Sequence, residues 1–537
     1  MKSLRNTVLG LTLSVTGASF AMADDLTIAI VNNGHMINMQ KVAEAYTAET
    51  GVNLNWVSLE EGVLREQVTS DTATGGGQYD IINIGMQEAP IWGAAGWIEP
   101  LNFGADYDVD DMLPAMRNGL SHDGTLYAAP FYGESSMVMY RKDLTDAAGI
   151  SVRDNDSWAN IKGAAMAMHD PDNGVYGACL RGKPGWGDNM AFITTVVNSF
   201  GGAWFDADMK PTLDSAAWNE AINFYVDLLG NYGPPGSEGN SFNEILALYN
   251  EGKCGMWIDA TIAASFLTVD GVAYAQSPNA GNPVGANWLW AWAMAVPTGS
   301  PNSEAAHAFI EWATSKAYIQ AVADHPDFGW GSVPTGTRAS TYAYPEFQAV
   351  AGFAAAEMAA IESAAPAATD LKPYVGVQFA AIPEFPEVGS AVAQEMAAAL
   401  SGAKSVEDAL AAAQAAAAAQ ADLSDDKGDL VAGELPNKDA TGPVTRRMLK
   451  ESSATLHELR ELEKAGGSKL RKLSAAAPVI SDDMRFLPSW SFTTSATCLT
   501  HDDMFHDGEK CRPCDINRRQ YRVGGDADPN CKKCTLA

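Results

Sequence analysis

The sequence predicts an α/β protein followed by an unrelated C-terminal extension. Three observations carry this. First, "DDLTIAIVNNGHM" reads as a buried strand ending in a polar loop, "INMQKVAEAYTAETGV" has the apolar spacing of an amphipathic helix closed by Gly51, and "NLNWVSL" and "QYDIINIG" read as further strands. Strands alternating with helices build a parallel sheet flanked by helices, with ligands at the carboxyl ends of the strands, where the loops "NNGHM" and "GMQEAP" sit. Second, helical spacing returns in "EAINFYVDLLGNYG", "FNEILALYNEGK", "SEAAHAFIEWATS" and "AVAQEMAAALSG", while "CGMWID" and "WLWAWAMAV" read as strands. Third, composition breaks after the Ala-rich "SVEDALAAAQAAAAAQADL", a good terminal helix.

Charge marks the same break. From residue 426 onward there are 18 Lys/Arg against 17 Asp/Glu, and before it 17 against 49. An acidic main body argues against a nucleic-acid partner, whose phosphates need basic neutralisation. The first residues carry Lys2 and Arg5, an apolar run from Thr7 to Phe20 too short to span a bilayer, and Ala21-Met22-Ala23 before Asp24. That is the pattern of an export signal, residues 1–23, so the remaining chain is expected outside the cytoplasm. Cys179 and Cys254 are alone before residue 425. In an exported domain they are either one disulfide or two buried thiols.

No catalytic motif is present. There is no G-x-S-x-G elbow, no H-E-x-x-H helix and no P-loop, and the glycines at 75–77 lack the lysine that cradles phosphate. "DYDVDD" begins like a calcium loop, but Asp111 stands where glycine is needed and Arg117 where glutamate is needed, so it reads as a solvated acidic turn. None of the eight histidines forms a close pair before residue 501. The main body instead places tryptophan beside polar residues in "RGKPGWGDNM", "GGAWFD", "CGMWID", "NWLWAWA" and "FGWGSVP". Sugars and polyols offer C–H faces to indoles and hydroxyls to carboxylates, amides and arginine, although any one of these indoles can equally be core. In "NWLWAWA" the indoles Trp288, Trp290 and Trp292 recur at every second residue, so on a strand they share one face.

"YDIINIGMQEAPIWGAAGWIEPL", "GTLYAAPFYGESSMVMYRKDL" and "YNEGKCGMWIDAT" resemble, respectively, the binding loop, hinge-crossing strand and cleft strand of the periplasmic solute-binding proteins of ABC carbohydrate importers. "ACLRGKPGWGDNMAF", "NWLWAWAMAVPTGS", "VPTGTRASTYAYPEF" and "PYVGVQFAAIPEF" resemble the sorbitol/mannitol branch, and the likeness runs to about Asp422. The resemblance implies a two-lobed periplasmic-binding-protein fold with hinge-crossing segments. Lobe 1 would be approximately 24–133 with 295–345, and lobe 2 approximately 134–294 with 346–425. A linear polyol would close the lobes around itself, and the closed form would be read by the permease. No cofactor is implied, and a monomer is expected. The rival reading is a secreted carbohydrate-active enzyme with a carboxylate pair in the cleft, drawn from Glu134, Asp188 and Asp259.

Carried onto this chain, the resemblance implies ligand contacts from Asn33, His35, Met86, Gln87 and Glu88 in the first lobe and from Glu134 and Ser135 in the hinge strand. From the second lobe it implies Arg181, Trp186, Asp188, Asn189, Trp257 and Asp259. Trp290, Trp330, Arg338, Tyr374 and Gln378 would complete the enclosure. Asp259, Glu134 and Asp188 would accept from hydroxyls, Arg181 or Arg338 would donate to the carboxylates, and Trp186, Trp257 and Trp290 would supply faces. Trp288 would flank Trp290, and Trp292 would lead back into the core. Beyond the resemblance, 426–497 reads as linker and charged helix, and 498–537 as a Cys-rich tail. Its Cys511, Cys514, Cys531 and Cys534 have the C-x2-C…C-x2-C spacing of a zinc ribbon. Two disulfides with Cys498 left over, or an unstructured extension, remain open beside that zinc site.

Overall fold

The computed structural model describes residues 25–281, 286–364, 366–369 and 372–425, together with two short strands, Met504–His506 and Cys511–Pro513. The residues read as an export signal, 1–23, and as linker and charged helix, 426–497, lie outside the described residues, as do Cys498, Cys514, Cys531 and Cys534 of the tail. Cys511 begins the second of the two tail strands, which pair antiparallel in a unit separate from the main body.

The chain enters the main body as strand β1 (Asp25–Val31), which pairs in parallel with β2 (Asn53–Leu59) and β3 (Ile81–Ile84). Between them run α1 (Gly34–Thr50) and α2 (Glu61–Thr74). The boundaries follow from local chemistry. The Asn33 side chain caps α1 by accepting from the Met36 amide, and Gly51, at φ 79°, ends it in the left-handed region open to glycine. The Glu60 carboxylate caps α2 through the Gly62 amide. The short helix α3 (Glu88–Ala95) follows β3.

The central element is β4 (Ala129–Arg141), thirteen residues of which all but the last are buried. The four remaining strands of the sheet are β5 (Tyr176–Cys179), β6 (Cys254–Ala260), β7 (Val272–Gln276) and β8 (Leu289–Ala295). The first half of β4 pairs antiparallel with β8, and its second half pairs antiparallel with β6 and β7. The sheet order is β2-β1-β3-β8-β4-β6-β5, with β7 also on β4. The parallel sheet read from the first strands is therefore mixed, because β8 runs against both of its neighbours, β3 and β4.

Helices α4 (Asn189–Ser199), α5 (Ala216–Tyr232), α6 (Phe242–Asn250), α7 (Phe385–Leu400) and the Ala-rich α8 (Val406–Asp425) cover the β5–β6 end, and α4, α5, α7 and α8 pack on one another. Every residue of α4 is buried. Three of its polar side chains bond back into the helix: Thr194 and Thr195 donate to the carbonyls of Met190 and Ala191, and Asn198 to that of Thr194. At the start of α6, Ser241 and Glu244 form a reciprocal capping box.

Cys179 on β5 and Cys254 on β6 are joined by a disulfide across 75 residues of sequence. Both are buried. A cross-link closing a loop of that size restricts the unfolded chain by about 4 kcal/mol in the chain-entropy account. Cys254→Ser, followed by denaturant unfolding, is expected to lower the unfolding free energy by ~2–4 kcal/mol, and the wild type in reductant should approach the variant.

Candidate functional site

The register of β4 on β8 builds one wall of a cavity of about 300 Å³, at the small end of ligand pockets. Trp290 lies directly opposite Glu134, and Trp292 opposite Tyr132, so both pairs share the cavity face. Trp288 lines the cavity as well, its indole N–H donating to the Ala191 carbonyl. All three indoles of "NWLWAWA" therefore look the same way. Trp292, expected to lead back into the core, is buried in the hydrophobic core cluster and lines the cavity as well, as strand periodicity requires. Gly85 makes room for this wall, because a Cβ there would overlap the Trp290 ring.

A second wall comes from α2 and the loop after β5. Arg65 lies with its guanidinium over Trp186 at 3.9 Å, Trp292 at 4.7 Å and Trp290 at 4.9 Å. Its nitrogens are all engaged, Nε and Nη2 with Glu61 at 3.1 and 2.9 Å and Nη1 with Glu88. Glu88 is fixed in turn by accepting from the Gly85 amide at 3.0 Å. Lys183 pairs with Glu60, and Asn243 donates to the Asn32 carbonyl at 3.0 Å, both at the cavity rim. Gly187 lets Glu61 approach so closely that a Cβ there would collide with its carboxylate.

At the base sits Arg181. It grips Asp259 through Nε at 2.8 Å and Nη2 at 2.6 Å, and its Nη1 donates to the Gly187 carbonyl at 2.7 Å. Burial works to discharge it, and the Asp259 carboxylate more than offsets this, holding the guanidinium charged. Asp188 is pushed up to about 6, by burial first and then by the charge of Glu61, while Arg181 and a hydrogen bond from Ser241 act against the rise.

Glu134 is different. Buried on β4, it is pushed up to about 8, chiefly by loss of solvent; the charges of Asp259, Glu61 and Glu357 add to this and that of Arg181 opposes it. It receives no hydrogen bond among the described residues. Beside it His35, packed against Tyr132 and Phe266, is lowered to about 3 by burial, and both its ring nitrogens lack partners. Gln378 donates to the Leu289 carbonyl at 3.2 Å and leaves its side-chain oxygen unpaired. Buried polar groups without partners in a cavity mark where a ligand's polar atoms belong.

Of the residues singled out in the sequence, Asn33, His35, Glu134, Arg181, Trp186, Trp290 and Gln378 line the cavity. The others do not, for identifiable reasons. Ser135 lies on the opposite face of β4 from Glu134 and donates to the Trp288 carbonyl. Met86 is buried against Gly119, Gln87 donates to the Ile382 carbonyl, and Glu88 stands behind Arg65. Asp259 is occupied by Arg181 and by the indole N–H of Trp257, which itself packs on Phe242. Asp188 holds Ser241, and Asn189 donates to the Ala393 carbonyl. Trp330 stacks on Tyr344. Arg338 ties a loop, bonding the Thr314 and Asp108 carbonyls over the Tyr107 ring. Tyr374 accepts from the Trp204 amide. Sequence reasoning missed Glu61, Arg65, Tyr132 and Lys183. Glu61 and Arg65 are four apart and carried the signal of an ordinary helix-surface ion pair.

The family model of bacterial extracellular solute-binding proteins matches residues 33–320. The chain is 46% identical over 403 residues to a mannitol-binding protein of Pseudomonas aeruginosa, covering 73% of this chain and 92% of that protein. It is 26% identical over 330 residues to an erythritol/L-threitol-binding protein of Mycolicibacterium smegmatis, covering 56% and 69% respectively. Among solved structures, an ABC transporter solute-binding protein from Agrobacterium vitis with bound D-mannitol superposes with a TM-score of 0.72 at 50% identity, covering 76% of this chain and 99% of that one.

Asp259→Asn is expected to destabilise the fold by ~3–5 kcal/mol, because it removes the carboxylate that grips the buried Arg181 charge through two hydrogen bonds and leaves Asp188, at 3.8 Å, as a looser counter-ion. Denaturant unfolding measures it, and a loss below about 1 kcal/mol would mean that Arg181 is solvated in solution.

Proposed function

The chain belongs to the bacterial extracellular solute-binding protein family, and on that premise we propose that it captures a linear polyol of the sorbitol/mannitol type between two lobes outside the cytoplasm and delivers it to an ABC importer. The observation that carries this reading is the pair of acceptors, the Glu134 carboxylate and the Gln378 side-chain oxygen, that receive no hydrogen bond among the described residues and line the same cavity as His35 and the indoles. A polyol brings one O–H donor per hydroxyl and C–H faces for the rings, which is what this cavity lacks. The division into lobes of approximately 24–133 with 295–345 and 134–294 with 346–425 is part of the same proposal. The long strand β4 changes partners at Ser135 and Ser136 and would be one crossing point. Closing the lobes would bring Glu60 and Lys183 together and seal the rim, so ligand and closure favour one another.

A binding role without chemistry is favoured by the state of the acids. A glycosidase needs two working carboxylates flanking the bond, and here Asp259 is locked to Arg181 and Asp188 to Ser241. Only Glu134 of that trio is free to meet a ligand. Recovery of bound polyol unchanged after long incubation is the expected result, and any new product would reject the binding-only reading.

A thermal-shift panel of hexitols, pentitols, hexoses and disaccharides should show its largest stabilisation with a hexitol. No shift with any polyol would remove the proposal. Trp290→Ala and Trp292→Ala should each weaken hexitol binding about tenfold or more, since each ring removed takes ~1.5 kcal/mol or more of stacking surface from the cavity. Equal affinity in the Trp292 variant would restore that ring to a core role. Hydroxyls donating to Glu134 favour its ionised form and pull its pKa below about 8 in the complex. Affinity should therefore rise with pH from 6 to 8 and level off above, and Glu134→Gln should flatten that profile in calorimetric titrations.

A further inference from the structure

Among the described residues, each acid lining the cavity other than Glu134 is already claimed by the protein: Glu60 holds Lys183, Glu61 holds Arg65 and Glu244 accepts from the Ser241 amide at 3.0 Å. Behind the lining, Asp259 holds Arg181 and Asp188 holds Ser241. The cations are spent in the same way. Arg65 divides its donors between Glu61 and Glu88, and Arg181 divides its own between Asp259 and the Gly187 carbonyl. Glu134 is left buried among Trp290, His35 and Tyr132 with no donor among the described residues, and the charges that reach it are Asp259, Glu61 and Glu357 against Arg181. Of these charges Arg181 acts most strongly and favours the ionised carboxylate, and the three acids oppose it.

A neutral hydroxyl answers such a group with one donor and no charge. An ammonium answers it with three donors and a full opposite charge, on a centre whose neighbouring C–H groups are well suited to an indole face. We propose that the cavity accepts a second ligand class, amino-alditols, in which a primary amine replaces a terminal hydroxyl of the linear polyol and its ammonium sits against Glu134. The inference rests on the polyol reading for the rest of the ligand. It has a converse: an aldonate places a carboxylate where the cavity offers acceptors, and like charges in a buried site repel.

The test is calorimetric titration of the full chain without its export signal, at pH 8, with sorbitol and mannitol, 1-amino-1-deoxy-D-sorbitol, and gluconate. The amino-alditol is expected to bind no more than tenfold weaker than the better hexitol, gluconate at least a hundredfold weaker, and Glu134→Gln should cost the amine at least tenfold more than it costs the hexitol. An amino-alditol more than tenfold weaker than the hexitol overturns the inference, as does a Glu134→Gln variant that loses both ligands equally. The wild-type ranking decides the matter even if that variant does not fold. Binding of the amine without either hexitol keeps this inference and discards the neutral-polyol reading; binding of neither discards both.

Discussion

The Arg181–Asp259 pair is the constraint on which the cavity depends. Two hydrogen bonds fix the guanidinium in the plane of the carboxylate, a third holds the Gly187 carbonyl, and the backbone carbonyl of Arg181 itself accepts from Tyr225 at 2.9 Å. The pair thus links β6, the loop after β5 and helix α5 in one buried junction, with Arg181 two residues from Cys179 and Asp259 five from Cys254 of the cystine that joins the same strands. Breaking such a pair costs more than its net contribution to stability, because the survivor is left charged in a dry environment. Its second effect is electrostatic. By pairing with one another, Arg181 and Asp259 leave Glu134 without an ion-pair partner among the described residues, although the Arg181 charge still favours its ionised form.

The same logic runs through the α2 wall. An arginine lying over three indoles and held by two carboxylates has surrendered its freedom and most of its water. It is a rigid part of the wall, and it joins the rings to Glu61 and Glu88 as one assembly. A polyol would meet a surface already organised, and little of the binding free energy would go into ordering side chains.

What was legible in the sequence is what period-two and period-3.6 patterns encode. The first three strands and two helices, the strands carrying Trp257 and Trp290, and the Ala-rich closing helix were all readable, because each repeats a pattern over several residues. The shared face of the three indoles was readable for the same reason, and became less accurate when the position of the cleft was allowed to override the alternation. The family resemblance located Glu134, Arg181 and Trp186. What could not be read was partnership. Whether Asp259 faces a ligand or an arginine, or whether Arg338 reaches a cleft or two carbonyls, depends on residues between 24 and 230 positions away. Glu61 and Arg65 were hidden by their ordinariness.

The overlap between Gly85 and the Trp290 ring ties two positions 205 residues apart into one steric volume. Neither can drift alone. A descendant that acquires a side chain at position 85 must surrender the indole at position 290 or move the strand that carries it, and with it the wall facing Glu134. The two positions are sterically coupled, so the rim residues, which carry no such constraint with Gly85, are the less costly place to alter what the cavity holds.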